Sequence, residues 1–286
     1  MAADMDQLGI EHLSVFGLPP VEFVNLAADL GCRYISTALT AIAYNPHGYA
    51  PFTLRDDAAL RRAMLAAMND RDVSISLGEG FTIRAERDIL ELAADVEIMA
   101  ELGVGRINSV SMDPDRGRSF DQFARLAEMA GAYGMEATVE LSPGLTVGDL
   151  DTALAALHHV QRPNFRLLID TMHFVRSGSR AADLAAVDPE LIGYVQLSDA
   201  PLQPTVTNYM EEAVFERMVP GEGELPLREI LVALPAGVVI GLEVPMRDLA
   251  EAGVGPQDRL RRCVEGARGL LAGESGGAGI ERGEHG

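Results

Sequence analysis

Phe165-Arg-Leu-Leu-Ile-Asp170-Thr-Met-His173-Phe-Val-Arg-Ser-Gly178 decides the reading of the chain. A short apolar run, Leu167-Leu168-Ile169, reads as a β-strand, and Asp170 and His173 sit where it stops. A buried strand that ends in a carboxylate and an imidazole is costly to build for structure alone. In parallel α/β folds, sites lie at the carboxyl ends of strands. Three more runs end in the same manner: Val139-Glu140-Leu141-Ser142, Tyr194-Val195-Gln196-Leu197-Ser198-Asp199 and Ile240-Gly241-Leu242-Glu243-Val244-Pro245.

Outward from these runs the chain alternates. β-like segments fall at about 10–16, 33–39, 73–78, 106–112, 136–142, 166–171, 192–198 and 238–244, with helical patterns between them. Ile89, Leu92, Val96, Met99 and Leu102 follow a helical period over 88–103, as do Phe123, Leu126 and Ala130 over 119–133. Ser119 and Gln122 read as a capping box at the start of the second. Three helices stop on glycine before a strand: Gly31, Gly103 and Gly134. Eight strands and their helices in one chain predict a (β/α)8 TIM barrel over 1–271 as a single domain. The Gly/Glu-rich segment 272–286 is expected to be a disordered tail. A doubly wound open sheet is the competing fold, but Gly78-Glu-Gly80 is only a fragment of its glycine fingerprint. Two connections are long, 41–52 and 200–226, and both are lid candidates at the carboxyl face.

Composition narrows the function. The 286 residues carry a formal charge of -20, a surface that repels nucleic acid and anionic membranes. Every one of the 23 basic residues is arginine. Without lysine there is no Schiff base, no covalent pyridoxal phosphate and no P-loop lysine. No run is apolar for the length of a membrane span, and Met-Ala-Ala-Asp-Met-Asp lacks the basic start of a signal peptide, so a cytoplasmic protein is expected. Cys32 and Cys263 have no metal or framework spacing and read as reduced thiols in or near the core.

Glu140, Asp170, Gln196 and Glu243 close four consecutive strands. Three carboxylates brought to one side of a barrel mouth cannot all stay ionised without a cation between them. A divalent metal answers this, with three carboxylates and one amide oxygen as hard ligands.

These runs resemble the sugar phosphate isomerase/epimerase superfamily, the xylose-isomerase-like TIM barrels that also include the AP endonuclease family 2 fold. The resemblance covers most of the chain. It implies that Glu140, Asp170, Gln196 and Glu243 bind one metal and that His173 binds substrate. Arg217-Met-Val-Pro-Gly-Glu-Gly-Glu-Leu-Pro226 is similar to the family's Arg…Pro-Gly-x-Gly turn, whose arginine reaches substrate. Gln196 stands where a histidine is common in the family; a glutamine at this place is familiar in some dehydroshikimate-dehydratase-like members. The all-oxygen set favours Mn²⁺ or Mg²⁺, with Co²⁺ or Zn²⁺ still compatible. Ser142 stands where some dehydratases carry a histidine, which weakens the dehydratase reading.

The implied reaction is isomerisation or epimerisation of a sugar-like or cyclic keto/hydroxy substrate. Glu140 and Glu243 would move a proton next to a carbonyl, through a metal-stabilised enediolate. The alternative is a metal-dependent dehydratase or lyase on the same site, acting on a dehydroshikimate-like or keto-glycoside substrate. Repair of the endonuclease-IV type needs a histidine-rich metal cluster and a basic groove, which six histidines in so acidic a chain do not supply. Further substrate-binding candidates are His12 on strand one, His47 in the strand-two loop and Glu79 at the end of strand three. Each has a plain alternative: a core histidine, a solvated loop histidine and a turn cap. The mouth is expected to be apolar, lined by Tyr44, Phe52, Phe81, Met112, Met172, Phe174, Tyr209 and Met246, which suits a cyclic polyol, a glycoside bearing an aromatic group or a ring ketone better than a free sugar. The partner is thus a small molecule, and the oligomeric state stays open.

Overall fold

In the computed structural model, residues 7–273 are described. Eight strands form a closed parallel barrel in chain order: β1 Leu8–Ile10, β2 Tyr34–Ala38, β3 Ser74–Ile83, β4 Arg106–Ser111, β5 Glu136–Glu140, β6 Phe165–Asp170, β7 Ile192–Leu197 and β8 Ile240–Leu242. The ring closes where Leu8, Gly9 and Ile10 pair with Ile240, Gly241 and Leu242. The single barrel predicted from the alternation is present. The expected tail lies, from residue 274, outside the described residues.

Side chains alternate along each strand. On β6 and β7, Leu167, Ile169, Val195 and Leu197 face outward and join the main core under the helices. Leu168 and Tyr194 point into the barrel, where they pack with Leu77 as a separate small cluster. Continuing that inward row toward the carboxyl end brings Asp170 level with Gln196, its register partner. The same parity places Thr138 and Glu140 inward on β5. The barrel therefore has an apolar floor and a polar upper layer, and the site is the top of its own lumen.

Three details differ from the sequence reading. The first strand was expected at about 10–16 but ends at Ile10, and His12–Val15 form a 3-10 turn. The helix Arg116–Ala132 starts earlier than its apolar period suggests. Its cap is Asp115, which accepts from the Arg118 amide at 3.0 Å. Ser119 lies inside the first turn and bonds instead to Ser111, so no capping box forms. Residues 89–92 are a 3-10 turn before the helix Ala93–Glu101. The three glycine stops hold, with φ of +69°, +74° and +73° at Gly31, Gly103 and Gly134. Cys32 and Cys263 are buried free thiols, each pushed up to about 12 by burial. Among the described residues no helix is long and apolar enough to cross a membrane.

The connection after β7 carries the short helix Tyr209–Phe215 and is fixed at several points. Asp199 pairs with Met218 and Glu216 pairs with Met246, both as isolated antiparallel bridges. Beyond them, the buried Asp199 carboxylate accepts backbone N–H bonds from Gly221 at 2.9 Å, Gly223 at 3.0 Å and Leu225 at 3.1 Å. A Cβ on Gly223 would lie 2.4 Å from Asp199 Oδ1. Glycine at this point of the Pro-Gly-Glu-Gly turn is thus a steric requirement of the anchor.

Candidate active site

The strands deliver a dense set of charges to the mouth. Glu140, Asp170 and Gln196 end or nearly end their strands, and Glu243 follows the last residue of β8. All four are buried. One ligand atom each from Glu140, Asp170 and His173 lies within 4.8 Å of the others, a grouping that could hold a metal ion. His173 enters this set because Asp170 caps the helix Thr171–Arg176, accepting from the His173 amide at 2.8 Å. The imidazole Nε2 is 3.3 Å from Glu140 Oε1, and Nδ1 meets the Tyr209 hydroxyl.

Arg217 was expected to reach into the mouth from a lid. It lines the mouth but is only 4% exposed, and the bridges on either side of it fix its backbone. Its guanidinium binds Asp170, lies 3.0 Å from Glu243 Oε2 and donates to Ser198 Oγ at 3.1 Å. Burial alone would raise Asp170, but the guanidinium beside it, with His173, holds its carboxyl below the usual range. Glu243 goes the other way. Its burial outweighs Arg217, and Asp170 and Glu140 add repulsion, so its carboxyl sits well above the usual range. One arginine holds one of the two carboxyls ionised.

Glu11 was missed by sequence reading. It is fully buried and receives the Tyr194 hydroxyl at 2.7 Å and the Gln196 amide at 3.4 Å. Burial pushes its carboxyl up to about 7. Gly241 makes the room for it, since a Cβ there would lie 1.7 Å from Glu11 Oε1. Its signal was present: Leu8-Gly-Ile-Glu11 is another apolar run closed by a carboxylate. Placing that strand too late in the chain hid it. Asn108, also missed, links two glutamates, donating to Glu140 at 2.7 Å and to Glu79 at 3.3 Å.

The other candidates separate. Glu79 and His12 line the mouth. Glu79 is raised well above the usual range, by burial and then by Glu140. His12 is lowered to about 4 by burial, and its Nδ1 lies 3.3 Å from Ser36 Oγ. His47 is not brought to the mouth; it packs against Tyr49 in the loop after β2, with ring centroids 5.4 Å apart. The expected apolar lining is also corrected. Phe81, Met172 and Phe174 are buried in the core, because their strands and helix turn them outward from the lumen. The cavity, about 230 Å³, takes its apolar wall from Leu13, Val110, Leu145, Met210, Ala213 and Val214 instead. A larger open groove of about 860 Å³ runs on the outer side of the loop 219–226 and contains none of the candidate site residues.

The donor set fits a hard divalent cation on an observation independent of ligand counting. Gln196 Nε2 donates to Glu243 at 3.2 Å and to Glu79 at 3.3 Å, while its Oε1 is buried with no hydrogen-bond partner among the described residues. An orphaned amide oxygen beside carboxyls in excess of the nearby positive charge is a place for a cation.

A model of the family described as xylose isomerase-like TIM barrel matches residues 24–266. No curated protein matches the chain in sequence. Among solved structures, the IOLI protein with a bound zinc atom superposes with a TM-score of 0.78 at 18% identity, covering 94% of this chain and 99% of that one. A probable 3-DHS dehydratase, AsbF of Bacillus anthracis, gives 0.70 at 15% identity, with 91% and 97% covered. A D-allulose 3-epimerase from Methylomonas sp. gives 0.67 at 17% identity, with 94% and 100% covered. Likenesses this distant in sequence speak for the fold.

Proposed function

The chain belongs to the xylose isomerase-like TIM barrel family, and from that premise we propose that it is a divalent-metal-dependent isomerase or epimerase of a small keto/hydroxy substrate. The observation that carries the reading is the grouping of Glu140, Asp170 and His173, one ligand atom from each within 4.8 Å of the others, next to Gln196, the register partner of Asp170, whose buried Oε1 has no hydrogen-bond partner among the described residues. Glu140, Asp170, Gln196 and Glu243 would hold the cation, with His173 Nε2 within reach of the same place. The bound ion would act as a Lewis acid toward a substrate carbonyl, and an oxygen-rich donor set favours Mn²⁺ or Mg²⁺.

The chain's own residues do the rest. Glu140 on β5 and Glu243 after β8 approach the mouth from different sides of the barrel. One removes the proton next to the carbonyl and the other returns it. Their surroundings differ: Glu140 carries the Asn108 amide and the imidazole, Glu243 the Arg217 guanidinium. His173, backed by Tyr209, is placed to orient a substrate oxygen. Leu13, Val214 and Met210 supply apolar wall to the mouth, which would limit the water around a bound substrate.

One feature favours a second outcome of the same first step. The Tyr209–His173 contact can feed a proton to a departing hydroxyl, which would make the enzyme a lyase. Metal analysis and turnover of a panel of keto-sugars and 3-dehydroshikimate in D₂O test both readings. Solvent deuterium at the carbon next to the carbonyl is expected, and the product identity separates isomerase from lyase. No exchange with any panel member, or protein that takes up no divalent ion, would overturn the proposal.

A further inference from the structure

The mouth is small. At about 230 Å³ it falls below the usual range for ligand cavities and holds one hydroxylated ring. It has an outlet. Leu145 lines both the mouth and a second groove of about 370 Å³, whose other walls are Met112, Pro114, Arg116, Gly144 and Thr146. The two spaces share that one lining side chain, at the loops after β4 and β5.

Those loops are built rather than loose. The Thr146 amide donates to Ser111 O at 3.1 Å, and its hydroxyl binds Asp113 O. Asp113 in turn is held by Arg118 through a second contact of 2.5 Å. The Ser142 amide closes the β5 loop on Val147 O at 2.9 Å. Within this frame two groups are unspent. Ser142 lines the mouth, is 2% exposed, and its hydroxyl has no hydrogen-bond partner among the described residues. A buried hydroxyl without a partner costs free energy until a ligand atom meets it. Met112 is 51% exposed, a large apolar side chain at the groove wall. Arg116 lies in the same wall, where its stem and guanidinium suit the face of an aromatic ring.

Resting on the proposed reaction, the geometry points to a substrate in two parts. A keto/hydroxy ring enters the mouth. An ether or hydroxyl oxygen meets Ser142 Oγ at the junction, and an aryl substituent on that oxygen passes Leu145 into the groove against Met112 and Arg116. The natural substrate is thus an aryl-substituted ring, such as an aryl glycoside, rather than a free sugar.

Calorimetry on the metal-loaded protein tests this with two probes, phenyl and methyl β-D-glucopyranoside. The phenyl compound is expected to bind at least about tenfold more tightly, from burial of the aryl group. Met112→Asp should remove that advantage, with an unchanged melting temperature to show that the variant is folded. Equal affinity of the two probes, no detectable binding of the phenyl probe, or an advantage that survives Met112→Asp would each overturn the inference. Deuterium exchange on keto-sugars, both free and as their aryl glycosides, reads the reaction separately. Exchange without an aryl preference sinks only the two-part substrate; an aryl preference without exchange sinks only the reaction.

Discussion

Arg217 Nη2 lies 3.0 Å from Glu243 Oε2, with both side chains almost wholly buried. The same guanidinium holds Asp170, so one fixed cation ties the ends of β6 and β8 together. Removing one member of such a buried pair leaves charge without compensation. Arg217→Met should therefore cost the EDTA-treated protein about 3–5 kcal/mol in urea unfolding, and Arg217→Lys less, since it keeps charge but loses the fork. An unchanged unfolding midpoint in Arg217→Met would show that the contact carries no stability.

Metal content gives a second test. About one divalent ion per chain is expected in protein purified without chelator, as a site of this donor type implies. Asp170→Asn and Glu243→Gln should each lower the affinity, read by elemental analysis and by titration of the EDTA-treated protein. Mn²⁺ or Mg²⁺ should restore activity better than Zn²⁺. Full metal content in both variants would place the ion elsewhere.

The proton supplies a third. Glu140→Gln and Glu243→Gln should each abolish exchange of the substrate's carbon-bound hydrogen with D₂O. His173→Asn should mainly raise KM, because His173 is assigned to binding rather than to that proton. Turnover that keeps the substrate's own hydrogen at the new position would mean a hydride shift, leaving the glutamates without an acid–base role.

Glu11 gives stability a distinctive pH dependence. Its carboxyl titrates at about 7 in the folded chain against an ordinary 4.5. Below the ordinary value both states hold the proton and the folded state has its full relative stability. As pH rises through this window the unfolded chain ionises first, so stability falls until the folded group also ionises near the upper value. The loss is up to roughly 3 kcal/mol. In EDTA-treated protein, Glu11→Gln should flatten this part of the profile; parallel profiles would contradict the assignment.

Gly241 is the steric counterpart of Glu11. Gly241→Ala pushes a Cβ into the carboxylate and should destabilise the chain by about 1–3 kcal/mol, as overpacking does. Glu11→Ala in the same chain should return part of that loss. Additive effects of the two changes would mean that they do not touch.

The barrel was legible because its signals are local and repeated. Apolar runs, glycine stops and helical periods each depend on a few neighbouring residues, and the ends of β5 to β7 fall within two residues of where these place them. The site was legible where a polar residue closes an apolar run, as at Asp170. It was lost where a strand was too short to show its period: β1 has three residues, and Glu11 vanished with its boundary. The burial of Arg217 was out of reach for another reason. It follows from bridges to Asp199 and Met246, contacts that no local pattern encodes. Side-chain direction misled in the same way, since Phe81 and Phe174 lie near the mouth in sequence but belong to the outer core.

The Asp199 anchor bears on the traffic of molecules through the mouth. With three backbone amides gathered on one buried carboxylate, the wall behind Arg217 cannot swing like a door. Access is then left to side chains of the lining, among them Leu145 on the loop after β5 and the half-exposed Met210 on the short helix Tyr209–Phe215. Rotamer changes there take far less time than the movement of a whole loop.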